Sequence, residues 1–140
     1  MNREILQVKD LKKYYGPVKA VDGVSFSIER GTTLGLVGES GCGKSVTSLS
    51  VMQLLQKPQG KITGGSIRFA RKDGAIDIAK TPERVMAKLR GGDLAMIFQE
   101  PMTSLNPVFT IKKQLSEPFI IHQGMKKKEA EEKALEMLRA

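Results

Sequence analysis

The sequence predicts a mixed α/β fold, with antiparallel strands first, then part of a parallel strand–loop–helix core, then helices. Three observations carry this reading. Val24-Ser25-Phe26-Ser27-Ile28 alternates apolar and polar with a period of two, as a half-buried strand does. Leu34-Gly35-Leu36-Val37 is apolar on both faces, as a strand inside a covered parallel sheet would be, and a glycine-rich stretch follows it. From Lys126 to Ala140, Ala130, Ala134 and Leu138 fall at helical spacing with Leu135 beside them.

The elements follow in order. Ile5, Val8 and Leu11, leading into Lys12-Lys13-Tyr14-Tyr15, predict a first strand that ends at the turn Gly16-Pro17. Asp22-Gly23 and Arg30-Gly31 read as turns on either side of the second strand. Lys44 to Leu55 predicts a helix with a broad apolar face, built from Val46, Leu49, Val51, Met52, Leu54 and Leu55 and ended by Lys57-Pro58-Gln59-Gly60. Gly64-Gly65 opens a strand over Ser66–Ala70, and Asp73-Gly74 marks a hairpin turn. Thr81-Pro82 starts a helix, with threonine at the cap and proline at the first helical position, and Gly91-Gly92 stops it after about Arg90. Leu94 to Phe98 reads as a buried strand, Pro101 to Pro107 as a loop, and Thr110 to about His122 as a helix despite Pro118. In the last helix, Glu129–Lys133 and Lys128–Glu132 stand at i, i+4.

Composition excludes several classes. The chain has 140 residues, 40% hydrophobic and 27% charged, enough to hold one core and unlike a disordered chain. Its longest apolar run is Leu94–Phe98, whereas a membrane-spanning helix needs roughly 20 such residues. Met1–Ile5 alternates polar and apolar and has no apolar stretch of the signal-peptide kind. A single cysteine, Cys42, excludes an intramolecular disulfide framework and fits a reducing compartment. The net charge is +8, with +5 in residues 1–70 and +3 in residues 71–140, so anionic partners are favoured and no basic tail stands out.

One motif carries chemistry. Gly38-Glu39-Ser40-Gly41-Cys42-Gly43-Lys44-Ser45 fits G-x-x-x-x-G-K-[ST], and it stands where that motif should, after an apolar strand and at the start of a helix. A triphosphate needs many donors and little bulk. Glycines let successive backbone N–H groups turn toward phosphate oxygens, and the helix beginning near Lys44 adds the positive end of its dipole. Lys44 supplies a mobile point charge for the β- and γ-phosphates, and Ser45 a hard oxygen suited to Mg²⁺. Cys42 is read as a small residue at a variable loop position. By itself the loop says that a nucleoside triphosphate is bound, not what is done with it.

About fifty residues on stands Met96-Ile97-Phe98-Gln99-Glu100-Pro101, a strand delivering a glutamine into a polar loop. This resembles the Q-loop of ATP-binding cassette (ABC) ATPases. The longer string Ile97 to Pro107 resembles the subfamily serving oligopeptide, dipeptide and nickel importers, and Ala20–Phe26 and Ile62–Ile67 agree. The resemblance covers essentially the whole chain. It implies a partial P-loop NTPase (RecA-like) core with an N-terminal antiparallel β-subdomain over residues 1–102, and the start of the ABC helical subdomain over 103–140. It implies ATP and Mg²⁺ as cofactors. Gly38 to Ser45, with Val46 after it, corresponds to Walker A. Gln99 corresponds to the glutamine that contacts Mg²⁺ and the attacking water, so Lys44 and Gln99 are the catalytic candidates and Ser45 and Gln99 the metal candidates. Tyr15 matches the aromatic that stacks on adenine, with Tyr14 a rival. The implied partners are integral-membrane permease subunits and a second ATPase subunit, identical or different, at the cytoplasmic face of the membrane, with no nucleic acid.

Departures sharpen the expectation. Lys112 stands where the subfamily usually has glycine. The 140 residues hold no LSGGQ-like signature, no apolar strand ending in Asp-Glu and no switch histidine; His122, the only histidine, is expected to be solvated or packed. These elements follow the Q-loop in the family, so the chain is expected to be an N-terminal part that binds nucleotide and turns over little or none. Lys126-Lys127-Lys128 reads as a solvated helix start, also suited to lipid headgroups. Two other readings are a soluble ABC ATPase acting on nucleic acid or ribosomes, and a docking module that does not hydrolyse ATP.

Overall fold

The strand pattern at the N-terminus folds as a hairpin that anchors a sheet. β1 (Glu4–Tyr15) and β2 (Val18–Glu29) pair antiparallel around the turn at Gly16-Pro17. The computed structural model describes residues 3–56, 60–100 and 104–139, so the expectations for Lys57-Pro58-Gln59, for Pro101 to Thr103 with the boundary at 102/103, and for Ala140 lie outside the described residues. The chain divides into two compact units, residues 1–86 and 87–140.

In the first unit, β3 (Gly64–Arg71) pairs antiparallel with the other edge of β1, and β4 (Gly74–Asp77) closes the expected hairpin, giving the order β2-β1-β3-β4. One face carries the core: Leu6, Val8, Leu11, Val21, Ile67 and Phe69 are all buried. Each such side chain contributes roughly 1.5–3 kcal/mol of transfer free energy. Asp77 ends β4 by accepting from the Ala79 and Ile67 N–H groups, and so starts a short 3-10 turn over Ile78–Lys80. That turn lies against β3 and buries Ile78 completely.

The central strand is not regular. Val8 pairs with Phe26 and Leu11 with Val24, while Lys9 pairs with Ser66 and Lys12 with Gly64. Thus β1 holds one residue more than either neighbour between these points, a bulge at Asp10, whose φ is +49°. Burial runs Leu6, Val8 before it and Leu11, Lys13 after it, so the bulge moves the inward face from even to odd positions. Gly65 permits the bulge: a Cβ there would lie 2.3 Å from the Asp10 carbonyl oxygen, at φ +85°. Asp22-Gly23, expected as a turn, lies inside β2. There Gly23 takes up a register shift opposite β1, with φ +82°.

α1 (Lys44–Val51) ends four residues before the expected Leu55. The Gln53 N–H donates to the Ser50 carbonyl and the Leu54 N–H to the Leu49 carbonyl, which is the Schellman pattern, with Gln53 left-handed at φ +49° in the place glycine usually takes. Its side-chain amide donates to the carbonyls of Ile78 and Thr81, which offsets the strain. Within α1 the buried residues are Thr47 and Ser50; of the expected apolar face, Met52 and Leu55, beyond the helix end, are buried, while Val46 and Leu49 are only half covered. α2 (Glu83–Leu89) follows Thr81-Pro82 and stops before Gly91-Gly92, as expected.

Two expected buried strands do not form. Leu34–Val37 has no regular secondary structure, and Val37 is 90% exposed. In the second unit, Leu94 makes an isolated parallel bridge with Arg90, while Ala95–Phe98 is irregular and Ile97 is 98% exposed. The reason is partnership. A strand of a parallel sheet needs a neighbour for its N–H and C=O groups and cover on both faces. Among the described residues no strand pairs with either run.

The rest of the second unit is a helical hairpin. Asn106 shapes the loop before it, its side chain accepting from the Val108 N–H while Gln114 bonds back to its main chain. α3 (Ile111–Gln123) is capped by Thr110, whose hydroxyl accepts from the Lys113 N–H, and is closed by left-handed Gly124; Pro118 is accommodated inside it. α4 (Lys127–Arg139) buries Ala130 and Ala134 as expected, but Leu135 and Leu138 are exposed. The expected i, i+4 pairs are replaced. Lys133 bonds Glu136, and Glu131 accepts from Lys112 at 3.1 Å, so Lys112 has a partner on the neighbouring helix. Exposed pairs of this kind contribute about 0–1 kcal/mol.

Gly65→Ala is expected to destabilise the chain by about 2–4 kcal/mol in urea unfolding, since the added Cβ collides with backbone. Gly31→Ala, at φ +73° with nothing within 4 Å, costs only the left-handed penalty of about 1 kcal/mol.

A second prediction concerns Asp22, whose carboxyl is held below its ordinary range chiefly by the Tyr14 hydroxyl, which donates to it at 2.5 Å. The folded pKa is the lower one, so this contribution is present at neutral pH and is lost as pH falls through the depressed value. In Tyr14→Phe the Asp22 carboxyl should titrate at higher pH, as read by NMR.

Candidate functional site

The glycine motif builds an open loop at the N-terminus of α1. Gly41 and Gly43 are left-handed, at φ +80° and +91°, and the Cys42 N–H donates to the Glu39 carbonyl to tighten the turn. Gly43 is the residue before α1, and no side chain caps the helix there; its first turn holds no acidic residue. A helix start usually attracts both. Its positive end therefore faces outward without an internal anion. Glu39, Ser40, Cys42 and Ser45 are exposed around it, and Val46 is half-buried.

Lys44 folds over the loop. Its ammonium donates to the carbonyl oxygens of Gly38 and Glu39, both at 2.6 Å, and lies 3.4 Å from Cys42 Sγ. This also explains Gly38, where a Cβ would stand 2.5 Å from that sulfur. Thr47 fastens the first turn by donating its hydroxyl to the Gly43 carbonyl at 2.9 Å.

The loop is seated on the core face of the sheet. A Cβ on Gly43 would meet the Ala20 carbonyl oxygen at 2.3 Å and Val21 Cγ2 at 3.4 Å. Val21 pairs directly with Lys13, so the two share a face. Tyr15, two residues beyond Lys13, shares it too, and the Lys13 ammonium sits 4.3 Å from the Tyr15 ring centre. Tyr14 points to the other face, where its hydroxyl bonds Asp22 and the Lys19 ammonium lies 5.5 Å from its ring centre. The two tyrosines thus stand on opposite faces of the sheet.

Lys13 was not singled out by the sequence. It is 1% exposed, with its ammonium donating to the Lys61 carbonyl at 2.9 Å, and burial pushes its pKa below the ordinary lysine value. A lysine amid alternating apolar positions reads as solvated; only the bulge at Asp10 turns it inward.

Gln99 belongs to the second unit and is exposed in the irregular stretch after Leu94. In that unit His122 is packed, as one of its two expected readings had it: a Cβ on Gly91 would strike its Nε2, and Gly92 lies beneath its Nδ1. Among the described residues no cluster of three or more His, Cys, Asp or Glu could hold a metal ion. A cavity of about 620 Å³ opens at the far end of α1, lined by residues such as Ser50, Gln53, Leu55 and Thr81. The donor set fits a polyphosphate. It combines glycine backbone, an uncapped helix start, one ammonium and an exposed Ser45 hydroxyl of the kind that binds a hard cation.

A glycine loop held by its own lysine at a helix start, beside an antiparallel sheet, defines a phosphate-loop nucleotide-binding domain. The family model described as ABC transporter matches residues 21–140, and the chain belongs to that family. Among proteins it is similar to, the oligopeptide transport ATP-binding protein AppD of Bacillus subtilis (strain 168) is 51% identical over 138 residues, covering 96% of this chain and 41% of AppD. The glutathione import ATP-binding protein GsiA of Pectobacterium atrosepticum is 46% identical, covering 97% of this chain and 23% of GsiA. The dipeptide transport ATP-binding protein DppD of Bacillus subtilis (strain 168) is 45% identical, covering 96% of this chain and 40% of DppD. The chain thus spans less than half the length of these curated relatives. In structure it matches MJ0796, a bacterial ABC transporter cassette solved as a dimer, with TM-score 0.77 at 24% identity over 96% of this chain and 56% of that one. It matches the ADP conformation of MJ1267, an ATP-binding cassette of an ABC transporter, with TM-score 0.58 at 26% identity over 91% and 44%. The fold is therefore that of part of an ABC ATPase domain, with its antiparallel sheet formed. No helix among the described residues is long and apolar enough to cross a membrane.

Gly43→Ala is expected to lower the thermal midpoint by about 10 °C in circular dichroism, because the Cβ pushes α1 off β2. Gly41→Ala has open space around it and should cost about half as much.

Proposed function

We propose that this chain is the nucleotide-engaging part of the ATP-binding subunit of an ABC importer of peptides. The observation that carries the proposal is the Lys44 ammonium, held between two loop carbonyls over the uncapped start of α1, on the sheet face that also bears Tyr15. Gly38 to Val46 hold the phosphates through backbone N–H groups, Lys44 adds its charge, and Ser45 ligates Mg²⁺. Tyr15, not Tyr14, offers its ring to the adenine, since it stands on the face where the loop is seated. Gln99 contacts Mg²⁺ and the attacking water.

Hydrolysis of this kind is chemistry by positioning and charge stabilisation. These 140 residues supply phosphate binding and the glutamine, and hold no Asp-Glu base or LSGGQ signature. The chain alone therefore binds MgATP and turns over little or none. In the whole protein it pairs with a second ATPase subunit and docks on integral-membrane permease subunits at the cytoplasmic face. We read residues 1–102 as the β-subdomain and partial core, and 103 onward as the start of the helical subdomain. The relatives named for oligopeptide, glutathione and dipeptide transport favour peptides over nickel as cargo.

The chain has two tyrosines and no tryptophan, so Tyr14→Phe leaves Tyr15 as the dominant intrinsic fluorophore. Adding MgATP to that variant should quench the tyrosine emission, and Lys44→Ala in the same background should abolish the quench. Quenching that survives Lys44→Ala, or depends on neither magnesium nor nucleotide, would overturn the assignment.

A further inference from the structure

We propose that Lys13 is the positioning residue for the nucleotide base: its buried ammonium fixes the Tyr15 ring from one side, so that the base stacks on the other. The inference rests on the reading of Tyr15 as the base-stacking residue and adds a residue to which the sequence assigns no role.

Three observations lead to it. First, burying an ammonium is costly unless hydrogen bonds and charge-sensitive contacts offset the lost hydration. A leucine or methionine would pack at this 1%-exposed position at no such cost, so packing alone does not call for lysine. Second, the ammonium is itself anchored. It donates to the Lys61 carbonyl at 2.9 Å, and the segment carrying Lys61 is laced to β1, with the Thr63 N–H donating to the Lys12 carbonyl and the Tyr14 N–H donating to the Thr63 hydroxyl. Third, it stands 4.3 Å from the centre of the Tyr15 ring, within range of a cation–π contact, which is stronger where the cation is desolvated. Tyr15 is the last residue of β1, beside the exposed Gly16-Pro17 turn, where an aromatic side chain would otherwise sample several orientations. With one face taken by the ammonium, the ring is fixed and its opposite face meets the base. Because the contact engages only the ring, Lys13 acts on recognition of the base and not on the phosphates.

The test compares MgATP with magnesium tripolyphosphate, which lacks base and ribose, on the full 140-residue chain by calorimetry. Lys13→Met keeps the stem and removes the charge. It should reduce the preference for ATP over tripolyphosphate about three- to tenfold while leaving tripolyphosphate binding unchanged. Lys13→Arg keeps a cation over the ring and should retain the preference. Equal loss for both ligands in Lys13→Met, an unchanged ratio, or loss of the ratio in Lys13→Arg would each overturn the proposal. If Lys13→Met fails to fold, Lys13→Arg alone decides by the same ratio. Tyr15→Leu separates the two layers. If it loses the preference while Lys13→Met keeps it, Tyr15 binds the base and Lys13 does not position it. If Tyr15→Leu keeps the preference, the reading of Tyr15 fails and this inference with it.

Discussion

One extra residue in the central strand governs the first unit. Without the bulge at Asp10, alternation along β1 would carry the inward face from Leu6 and Val8 to Asp10, Lys12 and Tyr14. With it, Leu11, Lys13 and Tyr15 point inward instead. The bulge survives because the chain on either side has no side chain in the way. Gly65 lies against the Asp10 carbonyl, Gly23 beside the Asp10 carboxyl, and the Asp10 N–H finds the Ser25 hydroxyl at 2.8 Å. The residues that make the bulge possible thus sit on the two neighbouring strands, β2 and β3. The seat for the phosphate loop, at Ala20 and Val21, is a further consequence, because Val21 is the partner of Lys13.

How much of this can be read from the sequence depends on the range of the interaction that decides each element. Features fixed by neighbours in the chain are legible. The Gly16-Pro17 turn, the Asp73-Gly74 hairpin, the helix expected from Thr110 to about His122 and the Gly91-Gly92 stop all stand where expected. So is the glycine loop with the helix start after it, because the glycine pattern before Lys44 encodes its own backbone conformation. The bulge is not legible, because Asp22-Gly23 and Gly64-Gly65 look like turn signals unless their contact across strands is known. Nor was the end of α1: Gln53 stands in a position that usually demands glycine, and what makes it tolerable is a pair of carbonyls 25 and 28 residues away.

The two missing strands mark the other limit. Their apolar runs, Leu34–Val37 and Leu94–Phe98, state a preference for burial that the described residues do not satisfy. They cannot state which strands lie beside them. Hydropathy reports a residue's preference for burial, while burial itself needs a second surface. The same distinction explains α1, where the polar Thr47 and Ser50 are buried and the apolar Val46 and Leu49 are left half covered.

The tether on Lys44 has a thermodynamic meaning. A free lysine side chain has four rotatable bonds, and stilling them when a ligand arrives would subtract from the affinity. Here two carbonyl bonds at 2.6 Å have already stilled them as the loop folded. The rotamer entropy is thus charged to folding and not to binding. In the role proposed for Lys44, any change that loosened those two carbonyls would weaken phosphate binding without removing a single contact to the ligand.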